Sequence, residues 1–127
     1  MNDAAKRDTK RTILVVEDDY LQRLYATGLI NHAGYDVIEA SSADEAIALL
    51  EARNDICIVF TDIEMPGSMD GLRLARAIRD RWPPVELIIT SGKHRLEADQ
   101  IPERGKFLLK PYDADALLRA IKTLAHV

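Results

Sequence analysis

The sequence predicts an α/β domain: a doubly wound parallel sheet of five strands, order 2-1-3-4-5, flanked by helices on both faces. Short, uniformly apolar runs alternate with amphipathic stretches along the 127 residues, the pattern of inner strands covered by helices on both sides. The length suits a single domain. Right-handed crossovers then leave few topologies for five such strands. A chain of this size buries ~68% of its unfolded surface, so it needs neither a disulfide nor a structural metal to fold.

The first strand is Ile13–Val16. After it, Leu21, Leu24, Tyr25, Gly28 and Leu29 recur at the spacing of one helix face, with Gln22, Arg23 and Ala26 facing outward as a docking surface. Val37–Ile38 is the second strand. Ala43, Ala46, Ile47 and Leu50 mark the second helix, opened by a Ser42/Glu45 capping box. Ile56–Phe60 is the third strand; the third helix carries Leu74, Ala77 and Ile78, starts at Asp70 and stops at Pro83–Pro84. Along that helix Arg73, Arg76, Arg79 and Arg81 read as a solvated basic stripe, and Trp82 covers its end. Leu87–Ile89 is the fourth strand. The next crossover, Gly92–Gly105, is polar and contains Pro102, so it holds one or two helical turns at most. Phe107–Leu109 is the fifth strand, and Ala114, Leu117, Leu118 and Ile121 form a last helix capped by Asp113. Residues 1–11 read as a flexible polar tail and 12–127 as the domain.

Composition excludes several functions. A net charge of −4 argues against binding nucleic acid through bulk charge. No run approaches the ~18 apolar residues of a membrane span, and Met1–Arg11 lacks the apolar core of a signal peptide. Cys57 is the single thiol, read as a buried small hydrophobe, and an internal disulfide is impossible. The chain is expected in the cytoplasm. His32, His94 and His126 have no metal-ligand spacing and read as surface residues.

In an open parallel sheet, ligands bind beyond the carboxyl ends of the strands. The residues there are Glu17-Asp18-Asp19, Thr61-Asp62, Thr90-Ser91-Gly92 and Lys110-Pro111. The predicted order makes strands one and three neighbours, so Glu17, Asp18 and Asp62 converge. At ~5 Å and an effective dielectric near 20, each carboxylate pair repels by about 3 kcal/mol. Either their pKa values rise or a cation sits among them. Hard oxygen ligands in a small open crevice suit Mg²⁺. Three anions, a divalent cation and Lys110 sum to zero, so an incoming phosphoryl group meets no strong net repulsion. A carboxylate so placed is a nucleophile toward phosphorus.

These motifs resemble the receiver domain of bacterial two-component response regulators. The resemblance covers about residues 11 to 126 and rests on ILVVEDD (Ile13–Asp19), FTDIEMPGSMDG (Phe60–Gly71), IITSG (Ile88–Gly92) and FLLKPY (Phe107–Tyr112). It implies the flavodoxin-like receiver fold, with Asp62 as acceptor of phosphate from a histidine kinase or a histidine phosphotransfer protein. It further implies that Asp18 and Asp62 bind Mg²⁺, that Glu17 holds a metal-bound water, and that the Glu64 backbone carbonyl is another ligand. Lys110 would pair with the phosphoryl group and precede a cis bond to Pro111. Ser91 stands at the switch hydroxyl and Phe107 at the switch aromatic, although Phe107 serves equally as a core side chain. Asp19 stands just past the metal pair and serves equally as a helix N-cap. Thr90 and Ser91 project to opposite faces, so only one reaches the site.

The sequence departs from that family in two places. The MPGSMDG loop is one residue longer, and the Ser91–Lys110 interval is short with a degenerate fourth helix, which puts the usual output face in question. Glu64 and Lys93 lie two residues beyond Asp62 and Ser91, and are expected to flank the acyl phosphate, pair across it and set its lifetime. The chain ends at Val127 directly after the last helix, so the expectation is a receiver without its own output domain, acting by contact with an unknown downstream protein. Three other readings are weaker. A phosphatase would carry a D-x-D pair on its first strand. A flavin carrier would need a phosphate loop where Glu17-Asp18-Asp19 stands. A pseudo-receiver would lack part of the chemical set.

Overall fold

The computed structural model describes residues 12–93 and 95–125. The tail expected at residues 1–11, and His94 and His126, lie outside the described residues. Five strands, β1 (Thr12–Val16), β2 (Asp36–Ala40), β3 (Ile56–Asp62), β4 (Glu86–Ser91) and β5 (Gly105–Leu109), form one sheet in the order β2-β1-β3-β4-β5, all neighbours parallel. Four α-helices flank it: α1 (Tyr20–His32), α2 (Ala43–Ala52), α3 (Gly71–Arg81) and α4 (Ala114–Ala125). Among the described residues no helix is long and apolar enough to cross a membrane.

Strand alternation divides the core in two. Leu14, Val16, Val59, Leu87 and Ile89 face α2 and α3, burying Ala46, Leu50, Leu74 and Ile78. Ile13, Val15, Ile58, Phe60 and Ile88 face α1 and α4, burying Ala26, Ile30, Leu117 and Ile121. Both faces of β1, β3 and β4 are therefore dry, which explains their unbroken apolar sequence. Cys57 is half-buried at the edge of the second cluster, more open than its apolar strand suggested.

The helix starts follow their capping residues. Asp19, Ser42 and Asp70 accept from the N–H groups of Gln22, Glu45 and Arg73, and Asp113 from that of Ala116. The capping box of α2 is shifted by one residue. Glu45 reaches back to the Ser41 N–H, 2.5 Å away, rather than to that of Ser42.

The face assigned to α1 is corrected. Ala26 and Ile30 are the buried residues, Leu29 packs partly, and Arg23 is half-buried. Tyr20, Leu21, Leu24 and Tyr25 stand in solvent, Leu21 at 71% and Tyr20 at 63% exposure. Ala26 and Ile30 at i, i+4, with Leu29 beside them, seat the helix, and the apolar stripe of Tyr20, Leu21, Leu24 and Tyr25 points away from the sheet.

The Gly92–Gly105 crossover contains one 3-10 turn, Ala98–Gln100, as its composition predicts. Leu96 and Ile101 pack partly onto the α2/α3 side of the core, and Phe107 joins them from β5. The return into β5 is tight. Arg104 adopts φ +64°, and a Cβ on Gly105 would stand 2.9 Å from Ile101 Cγ2.

Arg79, read from sequence as part of a solvated stripe, is instead a tether. Its guanidinium donates to the carbonyls of Pro83, Val85 and Glu103, each at 2.8 Å. Arg81 of the same stripe pairs with Glu51 at 2.7 Å and lies over the Trp82 ring, while Arg73 and Arg76 are exposed. The planar fork of an arginine serves several carbonyls at once, which a lysine cannot do. Arg79→Ala and Arg79→Lys are both expected to cost about 1–3 kcal/mol in urea unfolding, and a loss below about 0.5 kcal/mol would show that the tether is dispensable.

Candidate phosphoacceptor and metal site

The parallel register brings the polar strand ends together. Val16 pairs with Thr61, so Glu17 and Asp62 leave adjacent strands at the same level, and Asp62 in turn pairs with Thr90. Glu17, Asp18 and Asp62 each place a carboxylate oxygen within 4.8 Å of the others. Glu17 is 6% exposed and Asp62 4%, while Asp18 is open to solvent.

Backbone contacts fix these groups. The Glu17 N–H donates to the Ala40 carbonyl at 3.0 Å, and its carboxylate accepts from the Asp19 N–H at 3.1 Å. Arg23 donates to the Glu17 carbonyl at 2.8 Å and binds Glu39 at 2.7 Å, tying α1 to the end of β1 and to β2. Behind Asp62, the N–H of Gly71 donates to the Ile63 carbonyl at 3.0 Å. A Cβ on Gly71 would fall 1.8 Å from the Asp62 carbonyl oxygen, so α3 starts here only because residue 71 is glycine. The longer loop before it turns at Gly67, φ +109°, and is pinned to α2 where Ser68 donates to Asp44 at 2.9 Å.

Lys110 enters from the end of β5, before the cis bond to Pro111 that the sequence implied. Its ammonium lies 3.2 Å from Glu17 Oε1 and 3.3 Å from Asp62 Oδ1, and it also donates to Gln22 Oε1. The approach to Asp62 is an ion pair, and among the described residues the buried Asp62 Oδ1 accepts no hydrogen bond. Burial pushes the Asp62 carboxyl above the ordinary carboxylate range, with Lys110 opposing and Glu64 and Asp18 adding to the rise. Burial raises Glu17 as well. Burial pulls Lys110 down, but the attraction of Glu17 and Asp62 outweighs it and leaves the ammonium raised.

The neighbouring hydroxyls separate as strand alternation requires. Thr90 donates to the Leu108 carbonyl at 2.7 Å, on the side away from the crossover. Ser91 is fully buried and donates to the Glu64 carboxylate. Glu64 also accepts from the Gly92 N–H at 3.3 Å, and the exposed Lys93 reaches this cluster through its own N–H, 3.1 Å from Ser91 Oγ. Phe107 is half-buried and packs on the same core face as Ile89.

A comparison with known proteins now identifies the arrangement. The model of the response regulator receiver domain matches residues 13–122. The chain belongs to the response regulator receiver domain family. The receiver is 32% identical over 117 residues to the CAI-1 autoinducer sensor kinase/phosphatase CqsS of Vibrio cholerae, an alignment covering 88% of this chain and 17% of that protein. It is 33% identical over 117 residues to the sensor kinase CckA of Brucella abortus, covering 89% and 12%. The chain thus spans less than a fifth of these curated relatives. Among solved structures, a receiver protein from Sinorhizobium medicae superposes with TM-score 0.84 at 29% identity, covering 92% of this chain and 95% of that one. The response regulator TrrA of Thermotoga maritima, solved with Mg²⁺ and BeF, superposes with TM-score 0.77 at 26% identity, covering 90% and 98%.

Of the three residues assigned to an outward face of α1, Gln22 is exposed as expected but also reaches Lys110, whereas Arg23 is half-buried and Ala26 buried. Gln22 also joins Tyr25, Gly92, Lys110, Pro111 and Tyr112 around a hollow of about 480 Å³ beside the acidic cluster. Tyr112 lies between Tyr25, ring centroids 6.2 Å apart, and Phe60, 5.6 Å away in a T-shaped arrangement. A larger cavity, about 700 Å³, lies near Asp55 and Trp82 at the amino ends of the strands, away from this chemistry.

The donor set fits a magnesium ion. Three hard oxygen ligands converge, one of them buried with an oxygen that accepts no hydrogen bond among the described residues, and the crevice is open on the Asp18 side. Without metal, the cost of two buried anions is present at neutral pH. Glu17 and Asp62 have raised folded-state pKa values, so their stabilising contribution is complete below the ordinary carboxylate range. It is lost as the pH rises through the raised values. In EDTA at pH 7, Asp62→Asn is therefore expected to raise unfolding stability by about 1 kcal/mol or more, with Lys110→Ala lowering it. A fall in stability on Asp62→Asn would show that the cluster is not under charge strain.

Proposed function

We propose that Asp62 receives a phosphoryl group from a phosphohistidine on a histidine kinase or histidine phosphotransfer protein, and that the resulting acyl phosphate switches protein contacts. The observation that carries this reading is the buried Asp62 Oδ1, which accepts no hydrogen bond among the described residues and lies 3.3 Å from the Lys110 ammonium, beside two further carboxylates. A carboxylate oxygen held in this way is positioned rather than solvated, as a nucleophile requires.

An Asp62 carboxylate oxygen forms the bond to phosphorus while the phosphorus–nitrogen bond of the donor breaks, and the departing imidazole nitrogen retains that electron pair and is protonated. Asp18 and Asp62, with Glu17 through a water and the Glu64 carbonyl, would hold the magnesium ion, which would supply positive charge beside the transferring oxygens. Lys110 adds a second positive centre, and Ser91 Oγ and the Gly92 N–H, at the end of the neighbouring strand β4, would donate to phosphoryl oxygens. Glu64 and Lys93 flank the acceptor, and their substitution is expected to alter how long the phosphate survives. Ser91 and Phe107 share the core face toward the crossover, which supports their pairing as switch residues. The chain's own chemistry is limited to accepting and slowly losing this phosphate; it is a signalling domain rather than a turnover enzyme.

For phosphorus to come within bonding distance of Asp62, the donor must cover the rim of the site. On the α1 side that rim is apolar: Tyr20, Leu21, Leu24 and Tyr25 are exposed next to Gln22 and Lys110. Contiguous exposed apolar side chains mark interaction surfaces, and we assign this one to the histidine-bearing helix of the donor.

Incubation with acetyl phosphate and Mg²⁺ is expected to yield one hydroxylamine-sensitive phosphate per chain, and none in Asp62→Asn. Many turnovers of a phosphomonoester would instead favour an enzyme. Leu21→Asp is expected to lower the ratio of transfer rates from a phosphohistidine protein and from acetyl phosphate by about tenfold, as loss of an interface anchor does. An unchanged ratio would move the docking surface elsewhere.

A further inference from the structure

We propose that Glu64 is an internal stand-in for the phosphoryl group: its carboxylate occupies the Ser91 hydroxyl and Gly92 N–H in the resting domain, and phosphorylation must expel it. The inference rests on the assignment of Asp62 as phosphoacceptor and adds a competitor within the chain for the same donors.

The geometry is specific. Glu64 lies on the loop leaving β3, two residues past Asp62, and folds back so that Oε2 accepts from Ser91 Oγ and Oε1 from the Gly92 N–H at 3.3 Å. A serine hydroxyl has one proton to donate. The Lys93 N–H donates into Ser91 Oγ at 3.1 Å, which leaves that proton directed at Glu64. While it is so directed, it cannot serve a phosphoryl oxygen, so the two anions exclude one another. Glu64 also adds to the repulsion that raises Asp62, so its negative charge acts at the acceptor in the resting state.

Two consequences follow. Part of the affinity for a phosphoryl group is spent displacing Glu64, which holds the domain off until a donor delivers the group. Once displaced, the Glu64 carboxylate moves to the rim beside the exposed Gly92–Lys93 start of the crossover. The surface there then carries a negative charge present only in the phosphorylated form.

The test is a double-mutant cycle on beryllofluoride binding. The native chain, Glu64→Ala, Ser91→Ala and the double variant are titrated by calorimetry in saturating Mg²⁺, with Asp62→Asn as the blank. Glu64→Ala is expected to bind beryllofluoride about tenfold more tightly than the native chain, and this gain should shrink to about twofold or less when Ser91 is already alanine. Equal or weaker binding by Glu64→Ala overturns the inference. So does a gain of the same size with and without Ser91, which would reflect charge repulsion alone. Absence of uptake by all four chains overturns the Asp62 assignment and this inference with it; uptake without a Ser91-dependent gain overturns the inference only.

Discussion

The interaction on which the rest depends is the balance of charge at the carboxyl end of the sheet. Three carboxylates gather within 4.8 Å, two of them buried, and one ammonium answers them. Their sum is minus two, a poor arrangement for a fold that stands alone and a suitable one for a site that takes a divalent cation. The order β2-β1-β3-β4-β5 makes this gathering unavoidable, because it sets the ends of β1 and β3 side by side and brings Lys110 across from β5. Gly71 allows α3 to start directly behind Asp62, and Arg23 fixes the Glu17 carbonyl from α1.

The crossover between β4 and β5 shows how a receiver keeps its sheet while shortening one layer. A single 3-10 turn replaces a covering helix, and two arginines do the anchoring. Arg79 joins the Glu103 carbonyl, at the β5 end of the crossover, to the Pro83 and Val85 carbonyls before β4, and Arg104 pairs with Glu86 and donates to the Pro83 carbonyl. These arginines hold the end near β5. The end near Ser91 is held by the contacts of Glu64 with Ser91 and Gly92.

Most of the fold was legible because its strands are dry on both faces and its helix starts carry side-chain caps, both local signals. The convergence of Glu17, Asp18, Asp62 and Lys110 was legible as well, since strand order converts sequence positions into neighbours. The face of helix α1 was read only in part. Leu21, Leu24 and Tyr25 obey helical spacing but face solvent, and the burial that seats the helix falls to Ala26 and Ile30, with Leu29 packing partly. Periodicity finds an apolar face without saying whether a sheet or a partner covers it. The Arg79 tether and the Glu64–Ser91 contact left no trace in the sequence, because each depends on loops that meet only after folding.

Calorimetric titration of the purified chain with MgCl₂ tests the central claim most directly. The account predicts saturable one-to-one binding at millimolar or lower concentration, weakened strongly by Asp18→Asn. No binding at millimolar Mg²⁺, or binding indifferent to Asp18, would contradict it.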